Sequence, residues 1–185
     1  LVRLPNHEST WIKRALDLGA AGIIVPQVNT VDEAVAIAKA ARFTPHGNRG
    51  VGVSRANDYG YAVGDYINGA NEGTAVMVQA EHVDAVANAS AIAEVDGVDG
   101  VFVGPYDLSA SMGLPGQLDH PDVNAAIDHI CQAFTQAQKP AGVFSVDIDD
   151  AHKRIEQGFS FVACSVDVLL LRAGVTQLAA ALRET

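Results

Sequence analysis

Ala75-Val-Met-Val-Gln-Ala-Glu81 and Gly100-Val-Phe-Val-Gly-Pro-Tyr-Asp107 are two apolar runs that each lead to a carboxylate. Short apolar runs of this kind are typical of strands buried in a parallel sheet. Glu81 and Asp107 are 26 residues apart, which is about the length of one βα repeat. Because the carboxyl ends of parallel strands meet at one edge of a sheet, we expect the two carboxylates to lie together, where they could hold a divalent cation.

The alternation of short apolar runs with longer amphipathic runs extends along the chain and indicates repeated βα units. It predicts six strands, at residues 1–4, 22–26, 75–81, 100–105, 140–145 and 159–165. It also predicts helices at residues 9–18, 30–42, 82–95, 121–138, 147–157 and 167–183. Residues 43–71 are rich in glycine and too many for an ordinary connection, so we expect a functional loop that brings Arg49 to the rim of the site.

The number of strands favours one α/β architecture, the TIM (β/α)₈ barrel, over an open doubly wound sheet. An open sheet usually carries a glycine-rich turn after its first strand, and the sequence from Leu4 to Glu8 has neither that turn nor a P-loop. A barrel needs eight strands and about 250 residues. We therefore expect residues 1–185 to be a single domain, the C-terminal three quarters of a barrel, with the first two βα units before Leu1.

Charge and composition exclude several classes of partner. The chain has 12 Lys and Arg against 22 Asp and Glu, and its net charge of -10 argues against nucleic acid and anionic membranes. It has neither an apolar stretch long enough to span a membrane nor a basic leader, so we expect a cytoplasmic protein. Cys131 and Cys164 are not spaced as a motif, and we expect both to be buried reduced thiols.

An ordered set of short motifs resembles the HpcH/HpaI family of metal-dependent, class II pyruvate aldolases. The set includes Arg49-Gly-Val-Gly52, Val78-Gln-Ala-Glu81, the run from Val98 to Gly113, and His120-Pro121. The resemblance covers essentially the whole chain and implies an eight-unit barrel with about 70 further residues before Leu1. It also implies a homo-oligomer (a dimer, trimer or hexamer) in which the last helix, residues 167–183, is exchanged between subunits.

The resemblance implies a carbon–carbon lyase. The family's reaction is the reversible aldol cleavage of a 4-hydroxy-2-oxo acid, of the 4-hydroxy-2-oxoheptanedioate or 2-dehydro-3-deoxyglucarate type, to pyruvate and an aldehyde. It proceeds through a metal-stabilised pyruvate enolate and serves the catabolism of aromatic or sugar acids. The cofactor is a divalent metal, Mg²⁺, Mn²⁺ or Co²⁺, and the partners are the small 2-oxo acid and the aldehyde.

The same resemblance gives roles to individual residues around the metal. Glu81 and Asp107 match the metal ligands, and Arg3 matches the catalytic arginine that donates to the keto oxygen of the substrate. Gln79 lies two residues before Glu81, on the same face of the strand, and matches a glutamine near the metal and substrate. Backbone N–H groups of Tyr106 and Asp107 would bind the carboxylate of the substrate.

Proton transfer completes the set of implied roles. In the family a metal-bound water is assisted by a histidine, and Asp17 matches the catalytic aspartate that orients this histidine. None of the six histidines of the chain falls at the matching position, so we expect the histidine before Leu1 and expect turnover to depend on it.

Other interpretations compete with the aldolase. A single acid at a strand end is most often a helix cap, and His82 after Glu81 would point to the opposite face of the strand. A related acyl-CoA lyase, of the citrate-lyase β or malyl-CoA lyase type, would need a basic groove, and this acidic sequence shows no cluster of Lys and Arg. A barrel fragment without catalytic function is the third interpretation.

Overall fold

Six parallel strands in chain order form the sheet of the computed structural model, which describes residues 1–183. The strands are β1 (Val2–Arg3), β2 (Gly22–Val25), β3 (Ala75–Ala80), β4 (Gly100–Val103), β5 (Ala141–Ser145) and β6 (Phe161–Cys164). Each strand pairs with the next, with β1 and β6 at the two edges. This arrangement confirms the α/β class and corresponds to six successive βα units of a TIM barrel.

Helices connect the strands, and the helices at residues 63–73 and 105–111 were not predicted, whereas the others lie within the six predicted ranges. They are α1 (Ser9–Asp17), α2 (Val31–Ala41), α3 (Val63–Gly73), α4 (Val83–Ala87), α5 (Ala89–Ala93), α6 (Pro105–Ser111), α7 (Pro121–Gln136), α8 (Ile148–Glu156) and α9 (Asp167–Arg183). The predicted helix 82–95 is divided at Asn88 into α4 and α5. Residues 43–71 are not one loop, because they contain a 3₁₀ helix at Arg55–Gly60 and most of α3.

The prediction that residues 43–71 bring Arg49 to the rim of the site is wrong. This segment follows α2 and precedes β3, so it lies at the amino ends of the strands, whereas barrel active sites form at the carboxyl ends. Arg49 is buried at that end, where its guanidinium donates to the hydroxyl of Tyr66 in α3.

Capping side chains fix where several helices begin. Thr30 and Glu33 form a reciprocal capping box at the start of α2, and Asp147 accepts from the N–H of Asp150 at the start of α8. His82 caps α4, since its Nδ1 accepts from the backbone N–H of Asp84 at 3.2 Å. These caps hold the helix starts next to the carboxyl ends of the preceding strands.

The two faces of the sheet are covered differently. Side chains such as Ile23, Val76 and Val101 are fully buried between the sheet and the helices, in the main core. Alternate residues face the inside of the barrel wall, where Ile24, Met77 and Phe102 form a separate small cluster. Functional side chains on this inner face can therefore lie together, next to this apolar cluster.

The C-terminal end of the chain is much more exposed than the rest. No side chain of α9 is buried within the part of the chain that the structure describes, and Leu170, Leu171 and Leu178 are each more than 60% exposed.

The expectation of two buried thiols is half wrong, because Cys131 is buried but Cys164 is exposed on edge strand β6. None of the helices within residues 1–183 is long and apolar enough to cross a membrane.

Candidate active site

Three of the predicted site residues form one hydrogen-bonded line across the carboxyl ends of β1 and β3. Nε of Arg3 donates to the side-chain oxygen of Gln79 at 3.5 Å, and the Gln79 amide nitrogen donates to Oε2 of Glu81. Gln79 lies opposite Phe102 of β4, on the inner face of the sheet. The period of two along β3 therefore brings Gln79 and Glu81 together as expected.

Glu81 is almost completely buried, at 1% exposure, and both of its oxygens have a donor. Its Oε1 accepts from the backbone N–H of Gln27 at 3.0 Å, and its Oε2 accepts from Gln79. A carboxylate oxygen has two acceptor positions, so each Glu81 oxygen retains one for a further ligand. The neighbouring strands thus fix the orientation of the carboxylate without using all of its acceptor capacity.

Burial raises the pKa of the Glu81 carboxyl above its ordinary value. The N–H of Gln27 acts against this rise, and the negative charge of Asp107 adds to it. The amide of Gln79 and the positive charge of Arg3 lower the pKa less strongly. A bound cation would relieve this unfavourable ionisation of the buried Glu81 carboxylate.

Asp107 lies in the first turn of α6, directly after β4, and its side chain is exposed. The neighbouring Tyr106 is 48% exposed, and its ring centroid lies 6.5 Å from that of Phe144 on β5. Gly104 lies at the end of β4 against the site. A Cβ atom at Gly104 would come within 2.7 Å of Oε2 of Glu81 and 3.1 Å of the Gln79 amide nitrogen. The absence of a side chain at this position makes room for the carboxylate.

Asp17 lies apart from this group. Its carboxylate accepts from Lys13 at 2.6 Å and from the buried guanidinium of Arg49 at 2.7 Å. Among residues 1–183, no hydrogen bond or ion pair joins Asp17 to Arg3, Gln79, Glu81 or Asp107. Because α1 runs back from the carboxyl ends of the strands, Asp17 in its last turn lies toward their amino ends.

Three contributors to these groups were missed by the sequence interpretation. Gln27 acts through a backbone N–H, which any residue type except proline provides, so its identity gives no signal. Gly104 has no side chain to mark it in the sequence, and its role follows only from the Oε2 atom of Glu81, which would lie 2.7 Å from a Cβ there. Arg49 was expected at the rim of the site, yet its guanidinium is buried 4.6 Å from the ring centroid of Phe43. A buried arginine beside an aspartate is a long-range pairing that sequence spacing does not predict.

The donor set favours a hard, oxygen-seeking cation over a soft one. Within residues 1–183, no three His, Cys, Asp or Glu side chains come together as a metal-ligand group. Glu81 and Asp107 offer carboxylate oxygens only, and His82 uses its Nδ1 to cap α4. Mg²⁺ characteristically binds one or two carboxylates and keeps its other positions for water or substrate oxygens. The residues present fit such a cation.

Comparison with known proteins agrees with the architecture. The family model for HpcH/HpaI aldolase/citrate lyase matches residues 1–173. A 4-hydroxy-2-oxovalerate aldolase of Rhodococcus jostii is 46% identical over 179 residues, which are 97% of this chain and 69% of that protein. A 5-keto-4-deoxy-D-glucarate aldolase of Enterobacter sp. is 42% identical over 97% of this chain and 70% of its own length.

Comparison with solved structures also finds proteins of the HpcH/HpaI family. An HpcH/HpaI aldolase/citrate lyase family protein from Burkholderia cenocepacia superimposes with a TM-score of 0.94 at 37% identity, over 98% of this chain and 72% of that protein. A citrate lyase β subunit from M. tuberculosis is more distant, with a TM-score of 0.59 and 16% identity over 89% of this chain and 66% of that one, and shares the fold alone. The chain belongs to the HpcH/HpaI aldolase/citrate lyase family.

Proposed function

We propose that this carbon–carbon lyase catalyses the reversible aldol cleavage of a 4-hydroxy-2-oxo acid to pyruvate and an aldehyde, with a divalent cation as cofactor. The observation that carries the proposal is the line from Arg3 through Gln79 to Glu81, with the charge of Asp107 beside it. Relatives 41–46% identical to the chain are named as aldolases of such acids or of pyruvate, which supports this reaction over the acyl-CoA lyase.

Glu81 and Asp107 would hold the cation, which we propose to be Mg²⁺, Mn²⁺ or Co²⁺. When bound, the cation supplies Lewis-acid chemistry that favours negative charge on the oxygens of the oxo acid. The two carboxylates differ in their surroundings, since Glu81 is buried and Asp107 is exposed at the rim. Glu81 is held in place by its neighbours, whereas Asp107 lies where substrate and solvent can reach it.

Arg3 is the residue of the chain that we propose to act on the reacting oxygen. Transfer of the C4 hydroxyl proton to a base and cleavage of the bond between C3 and C4 release the aldehyde and leave an electron pair on the pyruvate fragment, shared with its C2 oxygen. Protonation of C3 then gives pyruvate. The fixed positive charge of Arg3 would stabilise that oxygen. Gln79 fixes the Arg3 side chain relative to Glu81, because its side-chain oxygen accepts from Arg3 and its amide nitrogen donates to Glu81.

The remaining assignments concern the substrate carboxylate and the proton. We propose that the backbone N–H groups of Tyr106 and Asp107, in the first turn of α6, bind the carboxylate of the oxo acid. For Asp17 we propose the orienting role that the family resemblance implies, toward the catalytic histidine. Asp17 already accepts from Lys13 and Arg49, which fixes the direction of its carboxylate.

We also propose that α9 packs against a second copy of the chain. Its apolar side chains are exposed along the helix, and such a surface is typical of an interface between subunits. The resemblance to the family implies that this helix is exchanged, and a homo-oligomer would cover the apolar residues.

The experiment that tests the reaction measures pyruvate release from a 4-hydroxy-2-oxo acid with Mg²⁺ or Mn²⁺ and with a chelator. Glu81→Gln and Asp107→Asn should each abolish metal-dependent release. Asp149→Asn is the matched control, because Asp149 is an exposed acid in the first turn of α8 and the charge change is the same. Release that continues in the chelator, or in Glu81→Gln, would contradict the proposal.

A further inference from the structure

The turn that follows β2 has an unusual backbone. Gln27, two residues after β2 ends at Val25, has a φ of 56°, in the left-handed region that residues other than glycine rarely adopt. Its side chain is exposed, so packing of that side chain does not explain the conformation. A non-glycine residue held in this region is strained, and such residues are concentrated at functional sites.

Two successive N–H groups of this turn donate to β3 and to the residue that follows it. The N–H of Gln27 donates to Oε1 of Glu81 at 3.0 Å, and the N–H of Val28 donates to the backbone oxygen of Gln79 at 3.2 Å. The φ and ψ angles of Gln27 set the angle between the two peptide planes that carry these N–H groups. The left-handed conformation therefore allows one donor to reach the strand while the other reaches the carboxylate.

The Gln27 donor complements the one from Gln79. Glu81 is 1% exposed, and each of its two oxygens accepts one hydrogen bond from the protein. Without the bond from Gln27, Oε1 would have no fixed partner and the carboxylate could rotate about its last bond. A donor on each oxygen holds the carboxylate plane in one orientation while leaving an acceptor position on each oxygen.

We infer that Gln27 is a positioning residue for the cation site, acting through its backbone N–H and its left-handed conformation. The inference rests on the proposed role of Glu81 as a metal-holding group. Gln27 acts through Glu81, because its N–H contributes the hydrogen bond that sets the direction of the Glu81 oxygens. Groups that orient a metal-binding carboxylate typically change metal affinity about 10- to 100-fold when they are lost.

The test compares Mn²⁺ affinity in two variants with the same substitution. Gln27→Val replaces the residue by a β-branched one that strongly disfavours positive φ, so the N–H should turn away from Glu81. Gln138→Val is the matched control, since Gln138 is also exposed with a φ of 59°, but it follows α7 at the amino end of β5. We expect about tenfold weaker Mn²⁺ binding for Gln27→Val and unchanged binding for Gln138→Val.

A second variant distinguishes an effect of the backbone conformation from an effect of the Gln27 side chain. It also controls for misfolding. Glycine adopts positive φ readily, so Gln27→Gly should keep the wild-type Mn²⁺ affinity and melt no lower than Gln27→Val. Weakened binding in Gln27→Gly, or wild-type binding in folded Gln27→Val, would overturn the inference. Equal losses in Gln27→Val and Gln138→Val would do so as well, because they would indicate a general loss of stability.

A measurement without metal distinguishes this inference from the proposed function. The amide proton of Gln27 should exchange with solvent more slowly in the wild-type chain than in Glu81→Ala, as followed by NMR. Slower exchange together with absent Mn²⁺ binding in the wild type would confirm the hydrogen bond but contradict both the proposed function and the positioning role. Equal exchange in the two proteins would overturn the inference while leaving metal binding by Glu81 and Asp107 to its own test.

Discussion

The side-chain amide of Gln79 donates to Oε2 of Glu81, so Gln79 on β3 and Glu81 directly after this strand act as a unit. Gln79 also accepts from Arg3, which connects the fixed positive charge of β1 to the buried carboxylate. This hydrogen bond explains how the buried Glu81 carboxylate keeps its orientation beside an apolar cluster without an ion pair to Lys or Arg within residues 1–183. It also makes the space around Glu81 a sensitive place for substitution.

Gly104→Ala should disturb the site directly. The new Cβ would lie 2.7 Å from Oε2 of Glu81, closer than real Cβ contacts allow, so the carboxylate or β4 must move. We expect weaker Mn²⁺ binding and a loss of about 1–3 kcal/mol in the free energy of unfolding. Gly64→Ala in α3 is the control, because a Cβ there meets nothing within 4 Å. Calorimetric titration and urea unfolding measure both effects, and equal behaviour of the two variants would contradict the geometry.

The pKa of Glu81 predicts how stability depends on pH in metal-free protein. Burial raises this pKa above the ordinary value of 4.5, so the folded state holds the proton more tightly than the unfolded chain. The resulting contribution to stability is fully present below pH 4.5 and is lost as the pH rises through the pKa of the folded state.

Replacing Glu81 by Gln removes this titration. With a chelator present, the free energy of unfolding of Glu81→Gln should increase relative to wild type between pH 4 and pH 7. Urea unfolding at both values measures this difference. Added Mg²⁺ should stabilise the wild type at pH 7 and leave the variant unchanged. A difference between the two proteins that does not vary with pH would contradict the raised pKa.

Much of this fold could be predicted because the period of two in the strands and the helical amphipathic pattern are local signals. The six strands and the placement of Gln79 beside Glu81 follow from those periods. The carboxylate environment could not be predicted in the same way. The N–H of Gln27 reaches Glu81 from 54 residues away, through a backbone conformation for which glutamine has no preference.

The error over residues 43–71 has a topological cause. The length and glycine content of a segment indicate that it is unusual, but only its position between a helix and the following strand decides the end of the sheet at which it lies. Arg49 comes after α2 and before β3, which fixes it at the amino ends. Cys164 was expected to be buried because its strand is apolar, yet β6 is an edge strand.

Asp17→Asn should destabilise the fold. The guanidinium of Arg49 is buried, and Asp17 is its only ion-pair partner within the described residues 1–183. Removing the partly exposed Asp17 carboxylate leaves the buried charge of Arg49 uncompensated, so we expect a loss of about 3 kcal/mol in the free energy of unfolding. Asp65→Asn, at an exposed acid in α3, is the control. A variant as stable as the control would show that the pair contributes little to the fold.

Leu171→Glu should weaken self-association. Leu171 is 70% exposed on α9, and a buried charge at an interface between copies would be unfavourable. Sedimentation velocity should show a smaller species for this variant than for wild type. Ile155→Glu is the control, because Ile155 is an exposed apolar residue on α8. If both variants sediment like wild type, α9 is not the interface.

The most direct test of the account is a titration of the chain with Mn²⁺, followed by electron paramagnetic resonance of the free ion. Wild-type protein and Asp149→Asn should bind one equivalent with the same affinity, because Asp149 is an acid outside the site. Glu81→Gln and Asp107→Asn should each bind at least tenfold more weakly. Binding of equal strength in all four proteins, or no binding to the wild type, would contradict a cation held between Glu81 and Asp107.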